Sequence, residues 1–179
     1  MIKIGKSNEL TDVACAFTGH RPQNLPWGFD EELPGCVFFK NQLREQILLQ
    51  AEKGVRHFLS GLALGVDTYA AEAVIELRKI FPITLEGVLP FKGQEGKWNV
   101  RDKERYYAIL EHCDVKTVMC ESYNNAAYFV RNRYLVDNSR VLIAGLGSIS
   151  ISVSSGSGTA WTVRYAREKG KEVVFVNHL

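Results

Sequence analysis

Short apolar runs alternate along this chain with longer stretches whose apolar residues recur every three to four positions. Val13-Ala14-Cys15-Ala16-Phe17 is continuous and ends at Thr18-Gly19, the pattern of a strand buried on both faces. Similar runs at 55–59, 83–89, 115–119, 141–144 and 173–176 predict further strands. Between them, periodicity predicts helices over about 37–53, 99–112, 124–138 and 159–169. The cleanest helical stripe is Val66, Tyr69, Ala70, Ala73, Val74 and Leu77. Gly54 and Gly170 stand where the helices before them should stop. Strands alternating with helices imply right-handed βαβ units and a mostly parallel sheet, in one domain over 1–179. Residues 147–155 alternate serine with glycine, isoleucine or valine, which predicts an amphipathic strand or hairpin arm rather than a linker.

Composition narrows the partners. The chain has 179 residues and a formal net charge of +2, which suits one sizeable core and argues against a broad polyanion-binding surface. No apolar run is long enough for a membrane helix, and Met1–Ser7 lacks the apolar core of a signal peptide. Cys15, Cys36, Cys113 and Cys120 form no C-x-x-C pair and suggest neither a zinc site nor a disulfide framework. A cytoplasmic protein is expected.

In an open parallel sheet, ligands bind beyond the carboxyl ends of the strands. Thr18-Gly19-His20-Arg21-Pro22, Ser60-Gly61-Leu62-Ala63-Leu64-Gly65-Val66-Asp67, Pro90-Phe91-Lys92-Gly93 and Gly156-Ser157-Gly158-Thr159 all fall there. Gly61 and Gly65 allow positive φ and close backbone approach, so the next helix can offer its N-terminus to an anion. The competing reading is a tight turn and nothing more. Asp67 would repel an anion beside it and suits a ribose hydroxyl better. Gly156, Ser157, Gly158 and Thr159 repeat the design before the last helix. Arg21 could clamp a phosphate, or pair with a surface carboxylate. His20 could titrate near neutral pH. Glu72 is a sugar-binding carboxylate, a general base or a solvated flank residue. On the helix from Asn124, Asn132 and Asp137 could reach the crevice, whereas Arg133 and Asp137 could simply pair on the surface. Trp27 and Trp98 are loop tryptophans that could stack on a base or cap the edge of a core. Gly5-Lys6-Ser7 lacks the first glycine of a phosphate-binding loop, Trp161 occupies the last glycine position of G-x-G-x-x-G, and no metal-binding cluster stands out.

The T-G-H-R-P start, the S-G-x-A-x-G-V-D turn with Ala70-Ala71-Glu72, the stretch Asn132–Ser139, and Gly158-Thr159 with Val163 and Ala166 together resemble the YpsA-like family of bacterial proteins. That family belongs to the SLOG superfamily, with DprA and the LOG-type nucleotide phosphoribohydrolases. The resemblance implies a Rossmann-like twisted sheet with helices on both faces, binding nucleotide-derived ligands at these loops. LOG enzymes carry P-G-G-x-G-T-x-x-E, whose glutamate serves catalysis. Here Thr162 stands at that position and Ser155 and Ser157 replace Pro-Gly-type residues, which argues against phosphoribohydrolase activity.

Three functions follow as alternatives. The first is a domain that binds or senses a nucleotide-like small ligand, with no other cofactor and no metal. The second is a nucleotide-cleaving enzyme using Glu72 or Asp67 as acid/base. The third is DprA-like binding of single-stranded nucleic acid, which needs a basic groove with stacking aromatics and is disfavoured by the small net charge. No membrane partner is expected, and homo-oligomerisation is compatible with all three.

Overall fold

The structure, a computed structural model, describes residues 6–146 and 156–177. The strand expected at 147–155 lies outside the described residues. In chain order the elements are α1 (Lys6–Asp12), β1 (Ala14–Gly19), a 3-10 turn (Pro22–Asn24), α2 (Pro34–Glu52), β2 (His57–Ser60), α3 (Val66–Leu77), β3 (Thr84–Leu89) and α4 (Val100–Glu111). They continue with β4 (Val115–Val118), α5 (Ala127–Asp137), β5 (Val141–Leu146), α6 (Gly158–Glu168) and β6 (Glu172–Asn177). Every strand anticipated among the described residues is present. The short α1 and the 3-10 turn were not anticipated.

The strands form one parallel sheet in the order β4-β3-β2-β1-β5-β6. The chain lays β2, β3 and β4 successively to one side of β1, then returns to place β5 and β6 on the other. The connections that leave β1 and β5 therefore run to opposite sides, and at such a switch point an open α/β sheet has its ligand crevice. Because all strands run parallel, the ends at Thr18, Ser60, Leu89 and Gly145 open on one edge.

Side chains alternate across β1, and this divides the core. Cys15 and Phe17 join Phe39, Leu43 and Ile47 of α2, Val66, Ala70 and Val74 of α3, and Tyr106 and Ile109 of α4. Ala14 and Ala16 face the other way, against Leu135 and Val136 of α5 and Val163 and Ala166 of α6. β4 is an outer strand with largely exposed side chains. A carboxylate interrupts the apolar pattern inside β3. Glu86 is buried and accepts hydrogen bonds from Thr117 Oγ1 (2.6 Å) and Tyr134 OH (3.0 Å), with His57 Nε2 at 2.8 Å. Burial alone would raise its pKa, but these partners outweigh burial and hold it below the usual carboxylate range.

α3 is seated against bare backbone. A Cβ on Gly19 would lie 2.4 Å from Val66 Cβ, and one on Gly145 would lie 2.6 Å from Val66 Cγ1 and 2.8 Å from Phe39 Cζ. Gly65 precedes the helix at φ +92°, a conformation that L side chains rarely adopt, and a Cβ there would meet the His20 carbonyl oxygen at 2.5 Å. Among the described residues no helix is long and apolar enough to cross a membrane.

Gly19→Ala should destabilise the fold by about 1–3 kcal/mol, because the clash is with a helix Cβ that no rotamer can move. Urea denaturation should show a lower midpoint at unchanged slope. A midpoint equal to wild type would mean that α3 is free to shift.

Candidate functional site

Beyond the carboxyl end of β1, beside β5, lies a cavity of about 280 Å³. Its floor is the end of β1, Phe17, Thr18 and Gly19, followed by His20 and Arg21. Asp67 of α3 stands on one side and Tyr128, Arg131 and Asn132 of α5 on another, and Ser157, Gly158 and Thr159 close it at the start of α6. Ser157 caps that helix, its Oγ accepting from Ala160 N at 3.1 Å.

The charge arrangement begins with Arg131, which is 5% exposed. Its Nε donates to Asn132 Oδ1 (2.8 Å), while Nη1 has no hydrogen-bond partner and stands 3.7 Å from Asp67 Oδ2. That separation gives attraction without a hydrogen bond. Asp67 Oδ2 also accepts from Ala63 N at 3.4 Å. Burial pushes the Asp67 carboxyl above its ordinary range, against the pull of Arg131, Ala63 N–H and Arg21. Burial likewise lowers Arg131, opposed by Asp67 and reinforced by Arg21. Both partners move toward neutrality, so their mutual attraction does not cover the loss of water. Arg21 and Arg131 flank one ring, with guanidinium carbons 5.2 and 6.0 Å from the Tyr128 centroid. Two guanidiniums and one carboxylate thus line one small cavity. His20 is buried, and burial lowers its pKa against a hydrogen bond to the Asn24 backbone.

Of the residues singled out in the sequence, Thr18, Gly19, His20, Arg21, Asp67, Asn132, Ser157, Gly158 and Thr159 come together around this cavity. The others stand elsewhere. Ser60 is fully buried, its hydroxyl donating to Asp67 O (2.9 Å) and accepting from Leu62 N (3.2 Å). Gly61 does not take positive φ; its neighbour Leu62 does, at 50°. What Gly61 provides is room, since a Cβ there would fall 1.6 Å from Arg131 Nη1. The 61–66 turn also spends N–H groups internally, with Leu62 N on Ser60 Oγ, Ala63 N on Asp67 Oδ2 and Val66 N on the His20 carbonyl. Gly65 seats α3 on that carbonyl and does not line the cavity. Glu72 is away from the cavity, gripped by Arg105 through Nε (2.6 Å) and Nη2 (2.8 Å), and the same guanidinium holds Glu31. Asp137 accepts from Tyr165 OH (2.9 Å) at the far end of α5 and makes no ion pair with Arg133. Gly156 is exposed outside the cavity lining. Thr162, at the position of the LOG glutamate, is buried and donates back to the Gly158 carbonyl at 2.7 Å. Trp27 packs into the core against Phe39. Among the described residues no cluster of three His, Cys, Asp or Glu could hold a metal ion.

Arg131 and Tyr128 are the residues that sequence reasoning passed over. Ala127, Arg131 and Leu135 recur every four positions and are all buried. An arginine on the inward stripe of a helix is the signal that marks it.

The sequence model of the YspA SLOG family matches residues 15–149. A UPF0398 protein of Halalkalibacterium halodurans is 35% identical over 129 residues, covering 70% of this chain and 68% of the relative. A UPF0398 protein of Bacillus pumilus is 32% identical over 132 residues, covering 72% and 70%. The X-ray structure of TM1055, a structural genomics target, superposes with a TM-score of 0.54 at 19% identity, covering 89% of this chain and 71% of that one. It shares the fold.

Replacing Arg131 by Met leaves the Asp67 carboxylate buried with one weak backbone donor, a loss of about 3–5 kcal/mol at neutral pH. Without the guanidinium, the Asp67 pKa moves still further above its unfolded value. The deficit relative to wild type is therefore largest where Asp67 is ionised and shrinks as pH falls toward its protonation. Thermal melts at pH 7 and pH 5 read this directly, and a deficit that grows on acidification contradicts it.

Proposed function

The chain belongs to the YspA SLOG family, and from the charge arrangement of its crevice we propose that it binds a nucleotide-derived small ligand through an anionic group seated between Arg21 and Arg131. Family and Rossmann-like fold support a nucleotide-related role in general terms. The observation that carries the finer reading is the pair of guanidiniums, Arg21 and Arg131, that line one cavity with Asp67 as the carboxylate beside them. A phosphate between the two guanidiniums offsets their like charge and lies near the start of α6, where the helix dipole favours anions. Asn132 fixes the direction of the guanidinium through Nε. Asp67 is the acceptor suited to a sugar hydroxyl beside the phosphate. The protein is read as a binding or sensing domain.

A nucleotide-cleaving activity would fall to Asp67 rather than Glu72. Asp67 lines the cavity with its pKa raised by burial, while Glu72 is committed to Arg105. Wild type incubated with AMP and with NAD should release no free base by chromatography. Release that disappears in Asp67→Asn would make the protein an enzyme.

Calorimetric titration with AMP should give measurable affinity. Arg21→Ala should weaken it about ten- to a hundredfold, through loss of a charge-assisted contact of about 1.5–3 kcal/mol. Gly158→Leu should block binding while leaving the melting temperature near that of wild type, because a Cβ on Gly158 meets only Asn132 Nδ2, at 4.0 Å. Wild-type affinity in both variants would remove the ligand from this crevice.

A further inference from the structure

A second cavity, of about 560 Å³, adjoins the first, and Arg21 and Tyr128 line both. It lies beyond the end of β3, against the loop that joins β3 to α4. Its walls are aromatic: Phe91, Trp98, Tyr123 and Tyr128, with Lys97 at the margin. Phe91 meets Tyr123 at 5.4 Å and Tyr128 at 5.8 Å, with ring planes 80° and 84° apart. These are edge-to-face contacts, so the rings do not close the cleft by stacking on one another.

The loop carrying Phe91 and Trp98 is fastened at three points. Gln94 is buried and donates to the Gly61 carbonyl at 3.2 Å, linking the loop to the end of β2. Lys92 is paired with Glu121 of the segment between β4 and α5. Trp98 packs against Tyr106 of α4 at 5.4 Å. Tyr123 is 62% exposed, so its ring is open to a partner. An aromatic cleft that Arg21 and Lys97 also line has the composition of a site for a planar ring attached to a phosphate.

We propose that this cleft is the base-binding subsite of the ligand: the phosphate lies between Arg21 and Arg131, and the heteroaromatic base passes the Arg21–Tyr128 wall to stack on the exposed ring of Tyr123, beside Phe91. The inference rests on the anion-binding reading of the first cavity and adds the ring to it. It makes the ligand class a nucleotide recognised at both ends, rather than a sugar phosphate or a free phosphate. Stacking on aromatic faces tolerates any base, so the cleft selects for the presence of a base more strongly than for its identity.

The test compares AMP with ribose 5-phosphate by calorimetry on the full chain. AMP should bind about ten- to a hundredfold more tightly, the contribution of one stacked base. Tyr123→Ala should remove most of that difference while leaving ribose 5-phosphate unaffected, and Tyr123→Phe should restore it. Because Tyr123 is exposed, neither variant threatens the fold, and circular dichroism melts confirm this. Equal affinity of the two compounds, or AMP affinity unchanged in Tyr123→Ala, overturns the subsite while leaving the anion site standing. Failure of both compounds to bind wild type overturns the anion site and the subsite together. An oligodeoxyadenylate that binds more than about tenfold tighter than AMP, with Tyr123→Ala weakening it, assigns the cleft to single-stranded nucleic acid and overturns the small-ligand proposal.

Discussion

Val66 rests on two strands that have no side chains to meet it. At Gly19 and Gly145 the first turn of α3 approaches the ends of β1 and β5 more closely than any Cβ would allow. That approach sets the geometry of the candidate site. It brings Val66 N to 3.3 Å from the His20 carbonyl and places Asp67 on the cavity wall. It also holds the 61–65 turn against α5, where Gly61 leaves the space that the Arg131 guanidinium fills. A helix one side chain farther out would leave the crevice open but without its carboxylate, and Arg131 without a counter-charge.

The electrostatics of the crevice follow from this closeness. Asp67 and Arg131 are both withdrawn from water, yet 3.7 Å apart they attract without bonding. A buried pair in optimal geometry would be self-sufficient. This one leaves a donor unmatched and adds a second guanidinium within reach of the same ring. The site is therefore unbalanced toward positive charge in the place where a parallel sheet leaves its strand ends open. The overall charge of +2 says nothing of this, because the asymmetry is made by a few residues in a confined space.

The fold was readable in the sequence because it rests on periodicity. The stripe from Val66 to Leu77 and the apolar runs of β1 and β5 leave little freedom of assignment. α1 was missed because its seven residues are too few to show a repeat. The site was legible where it depends on turn chemistry at strand ends, as at Thr18–Arg21 and Ser157–Thr159. It was not legible where it depends on which way a helix faces. Asp137 and Asn132 look equally eligible in sequence, but six positions from Arg131 along α5 Asp137 meets Tyr165 in solvent. Glu72 and Asp67 lie five apart on one helix, and only contacts from other segments, Arg105 for one and Arg131 for the other, separate their roles. Ser60 and Gly61 carry a motif whose work proves to be internal support.

Glu86 has a bearing on how the sheet avoids misassembly. It occupies the centre of β3 and projects toward α5, with Leu85 and Leu89 turned to the opposite layer. Successive residues of a strand alternate between faces, so slipping β3 by one position against β2 would carry this carboxylate into the layer of Phe58, Val74 and Ile109. There it would leave Thr117, Tyr134 and His57 behind and stand unpartnered among hydrocarbon, a penalty of several kcal/mol. Apolar runs of valine and leucine are otherwise tolerant of being threaded one residue out of step. In this sheet a single acidic side chain tells the native alignment of β3 from its nearest competitor.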